Sequence, residues 1–228
     1  MALKGLKIFV RRTLIALRDA TGHWRFARRG DSELSPQFSV TQPFTPSETL
    51  EKKKYNLRRA AGLIARYRVA PGEVFSFWRA VGNPNTSRWQ ASRSIVAGRL
   101  QIERGGGLCQ ASGIIYHLSL MAGLTVLERH SHSADLYTEQ TRFCPLGSDA
   151  TVAYGYKDLR VLNNTGGTIG FELTVEEDRF VATLLSDKPV ERHEIEFQRE
   201  ELDDGRLKAV TVDGTTGETI AVSVYERI

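Results

Sequence analysis

The sequence predicts an α+β fold in which a cysteine-bearing helix packs on a mainly antiparallel sheet, followed by a β-rich C-terminal extension. Three features lead there. Two segments carry apolar residues at helical spacing, short alternating runs lie between them, and from Ala150 onward strand signals dominate, punctuated by Asp-Gly turns. At 228 residues the chain can bury a sizeable core, as one large domain or as a core domain with an appendage. The expected division is 1–46 as a basic segment and linker, 47–186 as the core domain and 187–228 as the extension.

At the front, Leu3, Leu6, Val10, Leu14 and Leu17 recur three and four residues apart, which places them on one face of a helix. Lys4, Lys7, Arg11, Arg12 and Arg18 occupy much of the remainder. Residues 1–19 therefore read either as a helix packed on the domain or as an element for an anionic membrane surface. A secretory leader is not expected, because Arg18 and Asp19 interrupt the apolar run 13–17. No run approaches the roughly 18 apolar residues of a membrane span. The expectation is a protein that is cytoplasmic or peripheral at the inner membrane surface. A net charge of +4, from 31 basic and 27 acidic residues, is too small to suggest a nucleic-acid partner.

Residues 20–46, with Pro36, Pro43 and Pro46, read as an irregular connection. Ser47 is then a helix N-cap, with Glu48 and Glu51 in the first turn and Leu57, Ala60, Ala61, Ile64 and Tyr67 at helical spacing. Pro71-Gly72 breaks the pattern. Strands are expected at 74–78 and 94–100, the second turning at Gly98, with a Gly82-Asn83-Pro84-Asn85 loop between them. Gly105-Gly106-Gly107 opens a second helix with the apolar stripe Ile114, Ile115, Leu118, Met121 and Ala122, closed by Gly123. A strand at 124–127 delivers Glu128-Arg129-His130-Ser131-His132, in which period-two alternation puts Glu128, His130 and His132 on one face. A hairpin at 171–175 and 179–185 flanks Glu176-Glu177-Asp178, and further strands fall near 194–198, 207–212 and 219–225.

The chemistry-bearing stretch runs from Gly105 to Tyr154. A cysteine is nucleophilic as thiolate, and a helix N-terminus with a nearby histidine favours that form. Cys109 opens the glycine-preceded helix, and the following strand returns His130 and His132 toward it, while backbone amides at the helix start can hold an oxyanion. This is the logic of acyl transfer. Against it stand a cysteine that is only a small buried hydrophobe, and a zinc site drawn from Cys109, His130, His132 and Cys144. No C-x-x-C or H-x3-H pair supports zinc, so no metal and no cofactor are expected. Cys144 precedes Pro145 in a loop; two cysteines make no disulfide scaffold, though one bridge between them is feasible in an exported protein. His117, mid-helix, reads as structural or surface, and His193 has nothing catalytic near it in sequence.

Four stretches, taken together, resemble the VanW family: Pro71-Gly72-Glu73-Val74-Phe75-Ser76-Phe77-Trp78, Gly105-Gly106-Gly107-Leu108-Cys109-Gln110-Ala111-Ser112, Glu128-Arg129-His130-Ser131-His132-Ser133, and Asp149-Ala150-Thr151-Val152 with Asp158-Leu159 and Asn163-Asn164-Thr165. The resemblance runs from about Tyr55 to Thr165 and leaves the C-terminal third uncovered. It implies a tie to vancomycin-resistance gene clusters and to the bacterial envelope, and a cysteine-dependent L,D-transpeptidase chemistry on cell-wall peptides or their precursors. A non-catalytic accessory or binding module is the alternative. By the same resemblance Cys109 matches the family cysteine, His132 the motif histidine and Asp149 the acidic residue before Ala-Thr-Val, which either orients the histidine or serves as a turn or capping residue. His130 takes a supporting role, and Gly106, Gly107, Gln110, Ser112 and Arg129, within those motifs, are expected to bind substrate. The expectation of no secretory leader departs from what the resemblance implies of an envelope protein, so either the start is an atypical export or membrane-surface element or the substrate is an intracellular wall precursor.

Overall fold

A computed structural model of the chain describes residues 2–96, 99–135 and 142–227. Helix α1 spans Ala2–Thr21, followed by short strands β1 (Arg25–Phe26) and β2 (Arg28–Arg29) and the longer β3 (Ser35–Pro43). Helix α2 (Leu50–Ile64) leads through β4 (Tyr67–Arg68) and β5 (Glu73–Ser76) to the short helix α3 (Phe77–Val81). The hairpin of β6 (Ala91–Val96) and β7 (Arg99–Arg104) precedes helix α4 (Leu108–Met121), β8 (Thr125–Glu128) and β9 (Ala134–Asp135). Six strands follow: β10 (Arg160–Leu162), β11 (Ile169–Val175), β12 (Arg179–Ser186), β13 (Ile195–Glu201), β14 (Leu207–Asp213) and β15 (Thr219–Arg227).

The fold is α+β with mainly antiparallel pairing. One sheet has the order β1-β5-β10-β8, a second β11-β12-β3, and a third β13-β14-β15-β9; among the described residues only β1 on β5 and β9 on β15 run parallel. Helix α4 is the centre of the molecule. It is buried along Leu108, Ala111, Ile114, Ile115, Tyr116, Leu118 and Leu120, more than the single stripe expected, because β3, β12, β8 and α2 all pack around it. A second, smaller core joins Leu207, Ala209 and Tyr225 to Leu146.

Several boundaries differ from expectation. Residues 35–43 form strand β3 rather than irregular chain, because β12 offers an edge; Pro36 and Pro43 are tolerated since β3 has no neighbour on its other side. Phe77 and Trp78 are helical: Ser76 adopts an extended conformation and its Oγ accepts from the Arg79 N–H at 3.3 Å, capping α3. Helix α2 starts after Thr49, whose hydroxyl accepts from the Arg93 N–H instead of capping, while the Ser47 carbonyl closes a preceding turn. The expected turn at Gly98 lies outside the described residues.

The front helix also departs from the packed reading. Its Val10, Leu14 and Leu17 are 48%, 60% and 59% exposed and face away from the domain, as does Phe9. The side chains of Leu3 and Leu6 lie outside the described part. What fastens α1 is its C-terminal end, where buried Asp19 accepts from Arg160 at 2.6 Å and from Arg79 at 3.3 Å. No described helix is long and apolar enough to cross a membrane.

One buried polar residue holds the glycine loop before α4. Asn56, on α2, donates to the Gln90 and Gly106 carbonyls at 3.0 Å each and accepts from the Gln90 N–H at 2.9 Å. Gly106 lies so close to β6 that a Cβ there would fall 2.5 Å from the Ser92 carbonyl oxygen. Removing the Asn56 amide strands buried backbone groups, at about 1–3 kcal/mol for each one left unpaired. Asn56→Ala is therefore expected to lower the urea midpoint by an amount equivalent to about 3 kcal/mol; an unchanged midpoint would show that the loop holds without it.

Candidate active site

Cys109 lies in the first turn of α4, half-buried, with its thiol donating to the Val152 carbonyl at 3.7 Å. The residue that starts this helix, Gly107, has φ +100 and passes beneath the Lys53 side chain, so a Cβ there would be both strained and 2.8 Å from Lys53 Cγ. The first amides of the helix are unequally used. Those of Leu108, Gln110 and Ala111 are donated to the Gly105 and Gly107 carbonyls, and the Cys109 N–H has no acceptor among the described residues.

Strand β8 ends at Glu128, and the two histidines beyond it part. His130 Nε2 pairs with Glu128 at 3.1 Å, away from the cysteine. His132 turns to Asp149, whose Oδ2 accepts from both its backbone N–H and its Nδ1 at 2.7 Å. With Nδ1 so committed, Nε2 is the ring nitrogen left for a partner in the cavity, and the Cys109 sulfur lies near enough to this ring to favour its charged form. Cysteine, histidine and carboxylate thus form a chain of contacts.

Asp149 is itself fixed from several directions. Its Oδ1 accepts from Arg129 at 2.9 Å and from the Tyr225 hydroxyl at 2.6 Å, so both oxygens are fully occupied. Arg129 also donates to the Asp149 and Gly147 carbonyls at 2.7 and 3.0 Å and to the Ser223 hydroxyl, and it stacks over Tyr116. The fully buried Ser112 donates to the Ala150 carbonyl at 2.6 Å, holding the acidic segment against α4.

Electrostatics follow from these contacts. Burial disfavours the charged imidazole, but the Asp149 hydrogen bond and then the Cys109 sulfur outweigh it, so His132 is raised to about 10. Burial likewise opposes the Asp149 carboxylate, and the His132 hydrogen bond with the Arg129 charge brings it down to about 2. At neutral pH the pair is imidazolium and carboxylate. Cys144 behaves differently: burial pushes its thiol up to about 11, which keeps it protonated. Both cysteines are free.

A cavity of about 380 Å³ opens over this triad. Cys109, His132, Asp149, Gly107 and Gln110 line it, whereas Gly106, Ser112, Arg129 and His130, also expected at the site, do not. Ser112 and Arg129 are spent on holding Asp149, and Gly106 is covered by β6. The four residues considered for zinc are not assembled: among the described residues no three His, Cys, Asp or Glu side chains group so as to hold a metal. His117, mid-helix, is pushed down to about 4 by burial and stacks edge-on to Phe197; His193 pairs with Asp213 at 2.7 Å.

The family described as "VanW like protein" matches residues 52–185, more than half of the chain. The chain belongs to the VanW family. It is 31% identical over 139 residues to "Vancomycin B-type resistance protein VanW" of Enterococcus faecalis, covering 60% of this chain and 50% of that protein. It is 33% identical over 140 residues to "Uncharacterized protein YoaR" of Bacillus subtilis, covering 58% of this chain and 44% of that one. The chain thus spans about half the length of these relatives. No solved structure matches it. Within this VanW chain, Cys109, His132 and Asp149 all lie inside the matched range, while Tyr225 and Ser223, which complete the cradle of Asp149 and His132, lie beyond it.

Sequence reasoning missed Tyr225, Ser223, Lys53 and Asn56. In β15 the buried residues are the alternate Ser223 and Tyr225, whereas Val222 and Val224 face out, opposite to what hydrophobicity alone indicates. The pH dependence of stability tests the histidine's setting. A histidine raised from 6.5 to about 10 contributes stability that is complete below pH 6.5 and lost as pH rises through 10. The stability difference between wild type and His132→Gln, measured by chemical denaturation, should shrink across that window; a difference constant with pH would place the ring outside the pair.

Proposed function

We propose that this VanW chain is a cysteine-dependent acyl transferase of the L,D-transpeptidase type that acts on cell-wall peptides. The observation that carries the reading is the Cys109–His132–Asp149 chain at the floor of an open cavity, with an unengaged amide at Cys109. The Cys109 thiolate attacks a peptide carbonyl carbon, and the oxyanion that forms is held by the Cys109 N–H. Collapse breaks the C–N bond, the leaving nitrogen takes the proton from His132, and a thioester remains. An amine then adds to the thioester, gives its proton to His132 and displaces the sulfur; water in its place gives hydrolysis. Asp149 keeps the ring oriented throughout, as the acidic member of such triads does. The printed name of the Enterococcus relative supports placing this chemistry in vancomycin resistance.

The test is a comparison of variants on a peptidoglycan-derived tetrapeptide, read by intact mass and turnover. Cys109→Ala should abolish both the covalent adduct and product, and His132→Ala should slow turnover by roughly 10²- to 10⁴-fold. Cys144→Ala should leave turnover nearly unchanged. In the wild type Cys109 should also alkylate faster than free cysteine near neutral pH. A fully active Cys109→Ala, or alkylation no faster than free cysteine, would replace the transferase by a binding module for a peptide or protein partner.

A specific observation also supports the membrane-surface reading of residues 1–19. The outward face of α1 carries exposed Phe9, Val10, Leu14 and Leu17, its described charged residues Lys7, Arg11 and Arg18 are basic, and its one acid, Asp19, is buried. We propose that this face docks on an anionic bilayer surface. Vesicles containing anionic lipid should bind the chain at low salt and release it as salt rises, and Leu14→Glu with Leu17→Glu should abolish binding. Equal binding to neutral vesicles, or none at low salt, would remove the proposal.

A further inference from the structure

The cavity beside Cys109 holds more positive charge than the triad needs. Lys53, from α2, and Arg93, from β6, both line it, and neither forms an ion pair with any described residue. Lys53 runs over Gly107, two positions before the nucleophile, with its ammonium 5.9 Å from the Phe44 ring centre and 5.7 Å from that of Phe143. The rings shelter the charge without neutralising it. Burial first, and then the neighbouring Arg93, bring the amine down to about 8, as expected of two cations facing one space. The acids of the cavity do not answer them: Asp149 is saturated, and Asp135 is clasped by Arg142 at 2.6 and 3.2 Å.

The same wall carries unsatisfied amides. Gln110 is 7% exposed and among the described residues neither its Oε1 nor its Nε2 has a hydrogen-bond partner; Gln42 is 2% exposed and its Oε1 is likewise unpartnered there. Both residues line the cavity. A buried carboxamide left so costs about 1–3 kcal/mol for each unpaired group, a cost an incoming partner would relieve. A peptide group, with one donor and one acceptor, complements Gln110.

We propose that the cavity reads a peptide with a free C-terminal carboxylate: Lys53 and Arg93 bind the carboxylate, and Gln110 binds the adjoining peptide group. This deepens the transferase reading and rests on it for the presence of a peptide beside Cys109, while the carboxylate site itself stands on Lys53, Arg93 and Gln110.

The experiment measures binding without chemistry, in the Cys109→Ala protein, by thermal shift and calorimetry. The probes are N-acetyl-alanyl-alanine, the same dipeptide as its C-terminal amide, and inorganic phosphate. The free acid should bind at least tenfold more tightly than the amide. Lys53→Gln or Arg93→Gln should remove that preference, and Lys53→Arg should restore most of it. Equal binding of acid and amide, absence of binding, or a preference that survives Lys53→Gln would each overturn the proposal. Phosphate binding as tightly as the free acid would reduce the site to a general anion pocket and overturn the peptide assignment. If the acid binds selectively while Cys109 of the wild type proves unreactive, the transferase reading falls and the carboxylate site stands; reactive Cys109 without selective binding gives the converse.

Discussion

The arrangement depends on one buried carboxylate. Asp149 sits where the chain after β8, the 145–152 loop and strand β15 meet, and its two oxygens take a donor from each surrounding side chain: His132, Arg129 and Tyr225. A carboxylate in so enclosed a place is stable only because those bonds favour its charged form, and the charge in turn raises His132. Loosening any one donor would alter the ring that faces Cys109. The C-terminal strands therefore help to hold the site through Tyr225 and Ser223, although they lie outside the family's matched range.

Around this centre the polar motif residues divide into those that face the cavity and those that build it. Asp158 takes the Ser76 hydroxyl at 2.6 Å and the Trp78 N–H at 3.1 Å, fixing the start of α3. Asn163 spans the Val69 and Gly167 carbonyls at 2.7 and 2.8 Å, and Asn164 ties Gly123 to Thr125. Glu128 accepts from the Asp158 N–H and from His130. Each satisfies backbone groups that the irregular chain between short strands would otherwise bury unpaired. A motif made of polar residues is thus in good part a record of such repairs.

Local pattern carried much of the fold. The helical spacing around Leu57 and Ile114, the glycines before Cys109, the hairpin around Glu176 and the Asp-Gly turns of the last strands all reflect interactions within a few residues, which the sequence states directly. The elements it misread answer to distant partners. Strand β3 exists because β12, 140 residues later by its Thr41 to Val181 pairing, offers an edge, and Phe77 is helical because Ser76 and Asp158 come together.

The sequence by itself determined that a cysteine would open a glycine-preceded helix, that histidines would follow a strand, and that an acid would come next; these are matters of order and spacing. Only the tertiary structure decided between His130 and His132, since period-two alternation lapses after Glu128 and the choice falls to whichever ring meets Asp149. Tertiary structure also recruited Tyr225, left Lys53 and Arg93 without an ion pair among the described residues, and turned Leu14 and Leu17 of α1 outward. The reason is physical: hydrogen-bond saturation and charge pairing are properties of groups brought together from separate parts of the chain, and no local window contains both partners.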